Sequence, residues 1–269
     1  MSITKLDISL EDFEIGLSGA VPDRKDWSEP AMDRALLEFV ALFSGIVFKY
    51  GGRIIHGCHP SFTPVILRQA RRQASARLRK PVTLVMSDLW ARNLREDDVR
   101  SMTDIAEFIV TRKVGDKGPE DAETRNQSLT SMRRVLVDAQ NIMVAVGGKL
   151  HGADGFVPGV NQEMTFAARK GIPRFLIGGM GGYARELAAT LAPRSLNNFL
   201  SDEQNVILFS TNDIGSCINV LFEHLAQSRE LRQAALQPVK WNPDIRKVVD
   251  HRTGVVDDES SNNILRAVA

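Results

Sequence analysis

The chain has 269 residues, of which 43% are hydrophobic and 25% charged, so its composition is that of a globular protein with enough apolar material for a sizeable core. The net charge of +1 argues against binding of nucleic acid through overall basicity. The two cysteines indicate no disulfide framework, and the absence of an apolar signal core or a run of about 20 apolar residues predicts a cytoplasmic protein without membrane contact.

Short apolar runs alternate with longer amphipathic ones along the chain. The first half predicts, in order, strand Phe13–Gly19, helix Glu29–Tyr50, strand Arg53–Cys58, helix Thr63–Leu78, strand Val82–Ser87, an irregular polar segment Asp88–Asp104 and strand Phe108–Val114. The second half predicts helix Glu123–Ala139, strand Asn141–Val146, helix Asn161–Lys170, strand Arg174–Ile177, helix Tyr183–Leu191, strand Val206–Ser210 and a long closing helix Ile214–Leu236.

This alternation predicts an α/β fold, a doubly wound and mostly parallel sheet of Rossmann-like type. We expect a single domain over residues 1–237, including the closing helix, and a loosely ordered polar tail over residues 238–269. The apolar stripe of the helix Glu29–Tyr50 is also a candidate contact surface for a partner.

Small residues gather where the predicted strands end. They form Leu17-Ser18-Gly19, the turn His56–Pro60, Gly147-Gly148-Lys149 and the run Gly178–Gly182. In an open parallel sheet, ligands bind outside the carboxyl ends of the strands. Glycine lets backbone N–H groups approach an anion closely, and a helix N-terminus adds partial positive charge. These turns therefore predict a site for a nucleotide-like ligand, although neither a Walker loop nor a G-x-G-x-x-G fingerprint is present.

Several polar side chains near these turns have both a structural and a functional interpretation. Glu163 lies in a first helical turn, where acids favour the helix dipole, but a carboxylate there can also contact ribose or support glycosidic cleavage. Lys149 and Ser18 are candidate phosphate contacts at strand ends. Asp88 either contacts a ribose or caps a turn, and Arg133 either reaches the ligand or interacts with its own helix C-terminus.

A metal site is not favoured by the pattern. His56, Cys58 and His59 are close in sequence, but no third or fourth ligand with suitable spacing accompanies them, and His59 also fits a surface loop. Ser18 and Cys58 form no nucleophile–base pair with a histidine that the sequence reveals. We therefore predict neither a metal nor a cofactor.

Four stretches resemble the SLOG superfamily, a Rossmann-like group that includes cytokinin-activating phosphoribohydrolases and ligand-sensing domains of melastatin-type channels and bacterial antiphage effectors. They are LSGAVPD (Leu17–Asp23), YGGRIIHGCHPSFTPVI (Tyr50–Ile66), SLTSMRR (Ser128–Arg134) and the long glycine-rich stretch Val144–Gly182. The last one looks like the SLOG domains of bacterial conflict systems. The resemblance implies that Arg133 contacts a phosphate and that the protein self-associates, with an effector protein as a further partner.

One departure from the phosphoribohydrolases bears on activity. Their motif P-G-G-x-G-T-x-x-E places a Gly-Thr phosphate cradle before a catalytic glutamate, whereas this chain reads PGVNQE over Pro158–Glu163. The glutamate is present and the Gly-Thr pair is missing, which favours sensing of an ADP-ribose-, NAD- or cyclic-nucleotide-like signal over N-glycosidic hydrolysis with Glu163 as catalytic residue. A plain interaction module is the third alternative. The residues predicted to bind the ligand are Ser18, Gly19, Gly57, His59, Thr63, Asp88, Arg133, Gly147, Gly148, Lys149, Gly159, Asn161, Glu163, Gly179 and Gly181.

Overall fold

The computed structural model describes residues 8–25, 27–73, 79–151 and 156–236. Within these residues, six strands form one parallel sheet in the order β4-β3-β2-β1-β5-β6. The strands are β1 Glu14–Ala20, β2 Arg53–His56, β3 Val82–Ser87, β4 Ala106–Thr111, β5 Ile142–Gly147 and β6 Arg174–Ile177. The predicted Rossmann-like α/β fold is thereby confirmed.

Helices connect the strands and cover both faces of the sheet. They are α1 Pro30–Lys49, α2 Thr63–Gln73, α3 Asp88–Ala91, α4 Glu96–Arg100, α5 Ala122–Asp138, α6 Gly159–Arg169, α7 Gly182–Ala188, α8 Asp202–Ser210, α9 Ile214–Gln227 and α10 Arg229–Ala235, with a 3₁₀ turn at Pro193–Leu196. No helix in the described part of the chain is long and apolar enough to cross a membrane.

The core consists of two apolar layers, one on each face of the sheet. Alternate residues of β5 divide between them: Val144 and Val146 pack into the layer that contains α1, whereas Met143 and Ala145 pack into the layer that contains α5. Because both faces are covered, the strands read as continuous apolar runs rather than as alternating patterns.

The apolar stripe of α1 belongs to this core. Leu36, Phe39, Val40, Phe43 and Val47 are all buried. The stripe therefore packs against the protein's own sheet and is not the partner surface that the sequence suggested.

Two predictions in the last third of the chain are wrong. The predicted strand Val206–Ser210 is the second half of α8, which begins with a capping box in which the Ser201 side chain accepts from the Gln204 backbone N–H. The predicted long helix Ile214–Leu236 is interrupted at Ser228, whose backbone is extended and whose hydroxyl accepts from the N–H of Leu231 to start α10.

Smaller corrections concern the middle of the chain. The segment predicted as irregular contains the short helices α3 and α4, and the fourth strand is Ala106–Thr111 rather than Phe108–Val114. Residues 74–78, at the end of the predicted second helix, and the predicted polar tail lie outside the described residues.

A buried asparagine before β5 connects two distant parts of the chain. Asn141 Nδ2 donates to Asp12 O at 2.8 Å and to Ala235 O at 2.9 Å, while its Oδ1 accepts from Glu14 N at 2.9 Å. The segment before β1 and the end of α10 therefore meet at the amino edge of the sheet.

Candidate functional site

A cleft opens at the carboxyl edge of the sheet, where β1 lies between β2 and β5. From β1 the chain adds β2, β3 and β4 in turn on one side of β1. It then returns to add β5 and β6 on the other side, so the direction of the connections switches between β1 and β5. Such a switch point is where open α/β sheets bind ligands. The cleft encloses about 720 Å³ of empty space, part of which is open solvent.

Many of the predicted ligand-binding residues meet in this cleft. Its lining includes Ser18, Gly19, Gly57, His59, Arg133, Gly148, Lys149, Gly159 and Glu163. They come from the ends of β1, β2 and β5, from α5 and from the start of α6. Their assignment as ligand contacts stays a prediction, but the expected convergence of separate turns is present in the structure.

Other predicted residues lie outside the lining. Thr63 is buried at the start of α2, where its hydroxyl donates to His59 O at 2.8 Å. Asp88 starts α3 and forms an ion pair with Arg92 at 2.6 Å. Asn161 lies in the first turn of α6, and its carbonyl accepts from Thr165 Oγ1 at 2.8 Å.

The glycine run after β6 serves close packing. A Cβ on Gly179 would lie 1.8 Å from Thr211 O, and one on Gly181 would lie 2.1 Å from the Trp27 ring. Both positions therefore admit a neighbour from elsewhere in the fold, and neither lines the cleft. Gly147, also outside the lining, precedes Gly148, whose N–H donates to Ala20 O at 2.7 Å and fixes the turn beside β1.

Arg133 and Glu163 form the central charged pair of the cleft. Arg133 Nε lies 3.7 Å from Glu163 Oε1, and each side chain is 11% exposed. Arg133 Nη1 also donates to Gln162 Oε1 at 2.8 Å. Gly159 makes room for this guanidinium, since a Cβ there would lie 2.9 Å from Arg133 Nη2. Contacts with Gln162 and Glu163 thus hold the Arg133 guanidinium across the start of α6, and its role as a phosphate contact stays a prediction.

Burial raises the pKa of Glu163, against the lowering effects of the Arg133 charge and of the nearby Ser18 hydroxyl. Ser18 lies close enough to influence the carboxyl group, but its Oγ has no hydrogen bond of regular geometry within the described residues. Ser18 is 3% exposed, so its hydroxyl is buried beside the Glu163 carboxyl group without the regular hydrogen bond that such groups normally have. A ligand atom in the cleft would supply one.

His56 lines the cleft but was considered only as a metal ligand in the sequence. Its Nδ1 lies 2.8 Å from Leu17 O, so that nitrogen carries the proton, and Nε2 accepts from His59 N at 3.3 Å. Burial lowers the pKa of His56, which keeps the ring neutral. This histidine holds the turn after β2 against β1. Within the described residues, no cluster of His, Cys, Asp and Glu could hold a metal ion.

The sequence analysis also missed the apolar wall of the cleft. Leu129 and Met132 on α5 line the cleft together with Val157, just before α6, and Val160, in its first turn. The spacing of Leu129, Met132 and Arg133 along one helix face was the available signal, because residues three and four apart lie on the same side of a helix. An apolar wall with a few polar groups suits a ligand that has both a flat apolar part and a charged part.

A second ion pair lies at the edge of the cleft. Lys149 Nζ lies 3.6 Å from Asp23 Oδ1, and the two side chains are 23% and 35% exposed. Lys149 lines the cleft, whereas Asp23 belongs to the loop after β1 and is not part of the lining. The cleft therefore presents two cationic side chains and one buried carboxyl group to a ligand.

The comparisons with known proteins bear on the family. The X-ray structure of TM1055, a structural genomics target, is 13% identical, with a TM-score of 0.48, and the match covers 78% of this chain and 99% of that chain. No curated protein matches this chain. A family model described as SLOG cluster2 matches residues 9–209, which include the whole sheet and the cleft. The chain therefore belongs to the SLOG family, as its glycine-rich stretches predicted, and this membership supports a nucleotide-related, Rossmann-like protein.

Proposed function

We propose that this chain is a sensor that binds a nucleotide-derived ligand, of ADP-ribose, NAD or cyclic-nucleotide type, in the cleft at the carboxyl edge of the sheet. The observation that carries the proposal is the convergence of Ser18, Arg133 and Lys149 on one cavity beside glycine turns. Arginine binds phosphate through paired hydrogen bonds, and backbone N–H groups at glycine turns add further donors. The buried Ser18 hydroxyl, which has no hydrogen bond of regular geometry within the described residues, supports a polar occupant at the same place.

Thermal unfolding with NAD, ADP-ribose, AMP and cyclic nucleotides tests this proposal. A ligand at one hundred times its Kd should raise the free energy of unfolding by about 2.7 kcal/mol, since it binds only the folded state. Arg133→Gln should reduce the ligand-induced shift. The matched control is Arg100→Gln, because Arg100 lies on α4, is exposed and forms an ion pair with Glu96 one turn away on the same helix. If no compound shifts the unfolding temperature, sensing of these nucleotides is contradicted.

Ser18→Ala is a second probe of the cleft. Removing a buried hydroxyl whose contact with Glu163 falls short of regular hydrogen-bond geometry should leave the free energy of unfolding within about 1 kcal/mol of wild type, because only a weak interaction is lost. The same change should weaken ligand binding by about tenfold if the hydroxyl bonds to the ligand. Calorimetric titration against wild type measures the loss, and unchanged affinity would exclude that contact.

Hydrolysis of an N-glycosidic bond is the second candidate function, and the position of Glu163 favours it. The carboxyl group is buried in the cleft, its pKa is raised, and Arg133 lies beside it. A carboxyl group with a raised pKa can donate a proton to a leaving base, and an ionised one can stabilise the positive charge that develops on the ribose.

Incubation with nucleoside monophosphates and NAD, followed by chromatography for released base, tests this second candidate. Glu163→Gln should lower any turnover by at least about 100-fold. Full activity in that variant would remove Glu163 from the catalytic role, while no turnover by the wild type would leave binding as the function.

We further propose that the sensor serves a bacterial antiphage or conflict system, in which ligand binding drives assembly with itself or with an effector. The support is the resemblance of the stretch Val144–Gly182 to SLOG domains of such systems. Phage plating on cells that express the chain with its neighbouring genes tests the role. Equal plating by wild type and Arg133→Gln strains would contradict it.

A further inference from the structure

Both long cationic side chains that line the cleft already face a carboxylate. Arg133 Nε lies 3.7 Å from Glu163, and Lys149 Nζ lies 3.6 Å from Asp23. An anionic ligand that approaches either cation therefore meets a negative charge that belongs to the protein. The affinity of the cleft for phosphate depends on how strongly each carboxylate competes with the phosphate for its cation.

The two pairs differ in their surroundings. The Glu163 side chain is 11% exposed and stands on α6, inside the lining of the cleft. The Asp23 side chain is 35% exposed and lies on the loop after β1. An ion pair in contact with water is weak, because water screens the charges and both side chains lose freedom. Lys149 can therefore exchange Asp23 for a ligand phosphate, whereas Glu163 stays beside Arg133 as part of the cleft.

We propose that Asp23 is a built-in counter-ion that competes with the ligand phosphate for Lys149. It thereby raises the concentration of phosphate-bearing ligand that is needed to fill the cleft. The inference rests on the proposed function, because it assumes a phosphate-bearing ligand in the cleft. Asp23 does not line the cleft, so it acts through Lys149 as a tuning residue. The attraction that Lys149 can offer once freed of this competitor grows with the charge of the ligand phosphate.

The charge of the ligand gives the inference its test. Adenosine carries no phosphate, 3′,5′-cyclic AMP carries a singly charged phosphodiester, and AMP carries a phosphomonoester with a charge near −2 at neutral pH. Asp23→Asn removes the competing charge with little change in shape. We expect it to leave adenosine binding unchanged, to strengthen cyclic AMP binding and to strengthen AMP binding most, by about two- to fivefold.

Calorimetric titration of the three compounds into wild type and Asp23→Asn measures these changes. Asp104→Asn is the matched control, because Asp104 is exposed and precedes β4 at the opposite edge of the sheet. In a Lys149→Gln background, Asp23→Asn should lose most of its graded effect, since the competition at Lys149 is gone.

Three results overturn the inference. If AMP binds wild type and Asp23→Asn equally, or binds the variant more weakly, Asp23 does not compete for Lys149. If adenosine gains as much as AMP, the substitution acts through structure rather than charge. If none of the three compounds binds either protein, adenine-nucleotide binding itself fails, and the inference fails with it.

Discussion

At Glu163, burial and a neighbouring cation have opposite effects on the pKa of the carboxyl group. Burial favours the neutral acid and Arg133 favours the carboxylate, and the balance leaves the pKa of Glu163 raised. The folded protein therefore holds this proton to a higher pH than the unfolded chain does. The stabilisation from the bound proton is complete below the ordinary glutamate pKa, and it is lost as the pH rises through the raised folded-state pKa.

Glu163→Gln should remove this pH dependence. We expect the stability of wild type relative to the variant to fall as the pH is raised from below the ordinary glutamate pKa through the raised one. Urea unfolding of both proteins across that window measures the difference. Glu38→Gln, on the solvent side of α1, controls for the loss of one carboxylate. A constant difference between wild type and Glu163→Gln would contradict the raised pKa.

Single residues also show where sequence reasoning ends. The presence of Arg133 and Glu163 in the cleft agrees with the motif resemblance and with the expected position of the site at the carboxyl ends of the strands, because parallel strands end at one edge. The pairing of Lys149 with Asp23 did not follow, since it joins two loops whose approach depends on the whole fold. The role of Gly179 was equally hidden, because its neighbour is the backbone at Thr211.

At the scale of elements, local patterns predicted the strands and most helices well, because buried parallel strands and amphipathic helices differ in periodicity. The error at α8 has a local cause. The apolar run at Val206–Phe209 looks like a short strand, and the Ser201 and Gln204 capping box that starts a helix there was overlooked. The break at Ser228 is marked by a serine that caps the next helix, and continuous apolar spacing hid it.

The junction between α7 and the turn after β5 gives a prediction about packing. Gly182 has φ +65°, and a Cβ there would lie 2.5 Å from the backbone of Gly147. Gly182→Ala should therefore lower the free energy of unfolding by about 2–4 kcal/mol. Gly171→Ala is the matched control: its φ is +69°, but nothing lies within 4 Å of the added Cβ. It should cost only about 1–2 kcal/mol.

Urea unfolding of these two alanine variants separates backbone strain from steric contact. Both share the left-handed conformation, so only the crowding beside Gly147 distinguishes them. Equal losses of stability would show that the close approach at Gly182 does not limit packing there.

At the scale of the whole molecule, the sheet separates the cleft at its carboxyl edge from the chain ends of the described region at its amino edge. A sensor has to convert occupancy into a change that a partner can detect. Our expectation of a homo-oligomer stays a prediction, and the buried stripe of α1 removes one candidate surface for it.

Light scattering with and without ADP-ribose should distinguish the modes of assembly. A ligand-driven sensor should increase in molar mass when the cleft is filled, and Arg133→Gln should suppress that increase. A mass that is already multimeric without ligand, and unchanged by it, would support a constitutive interaction module instead.

The bridge made by Asn141 has a practical consequence for engineering. Since this side chain bonds both to Asp12 and to Ala235, the two ends of the described fold are neighbours. In a chain trimmed to residues 8–236, a short linker there would close the backbone, and a new start could be cut in the exposed bend at residues 115–117. Such a circular permutant would keep the order of its strands, and its cleft would lie at the edge of the sheet opposite the new linker.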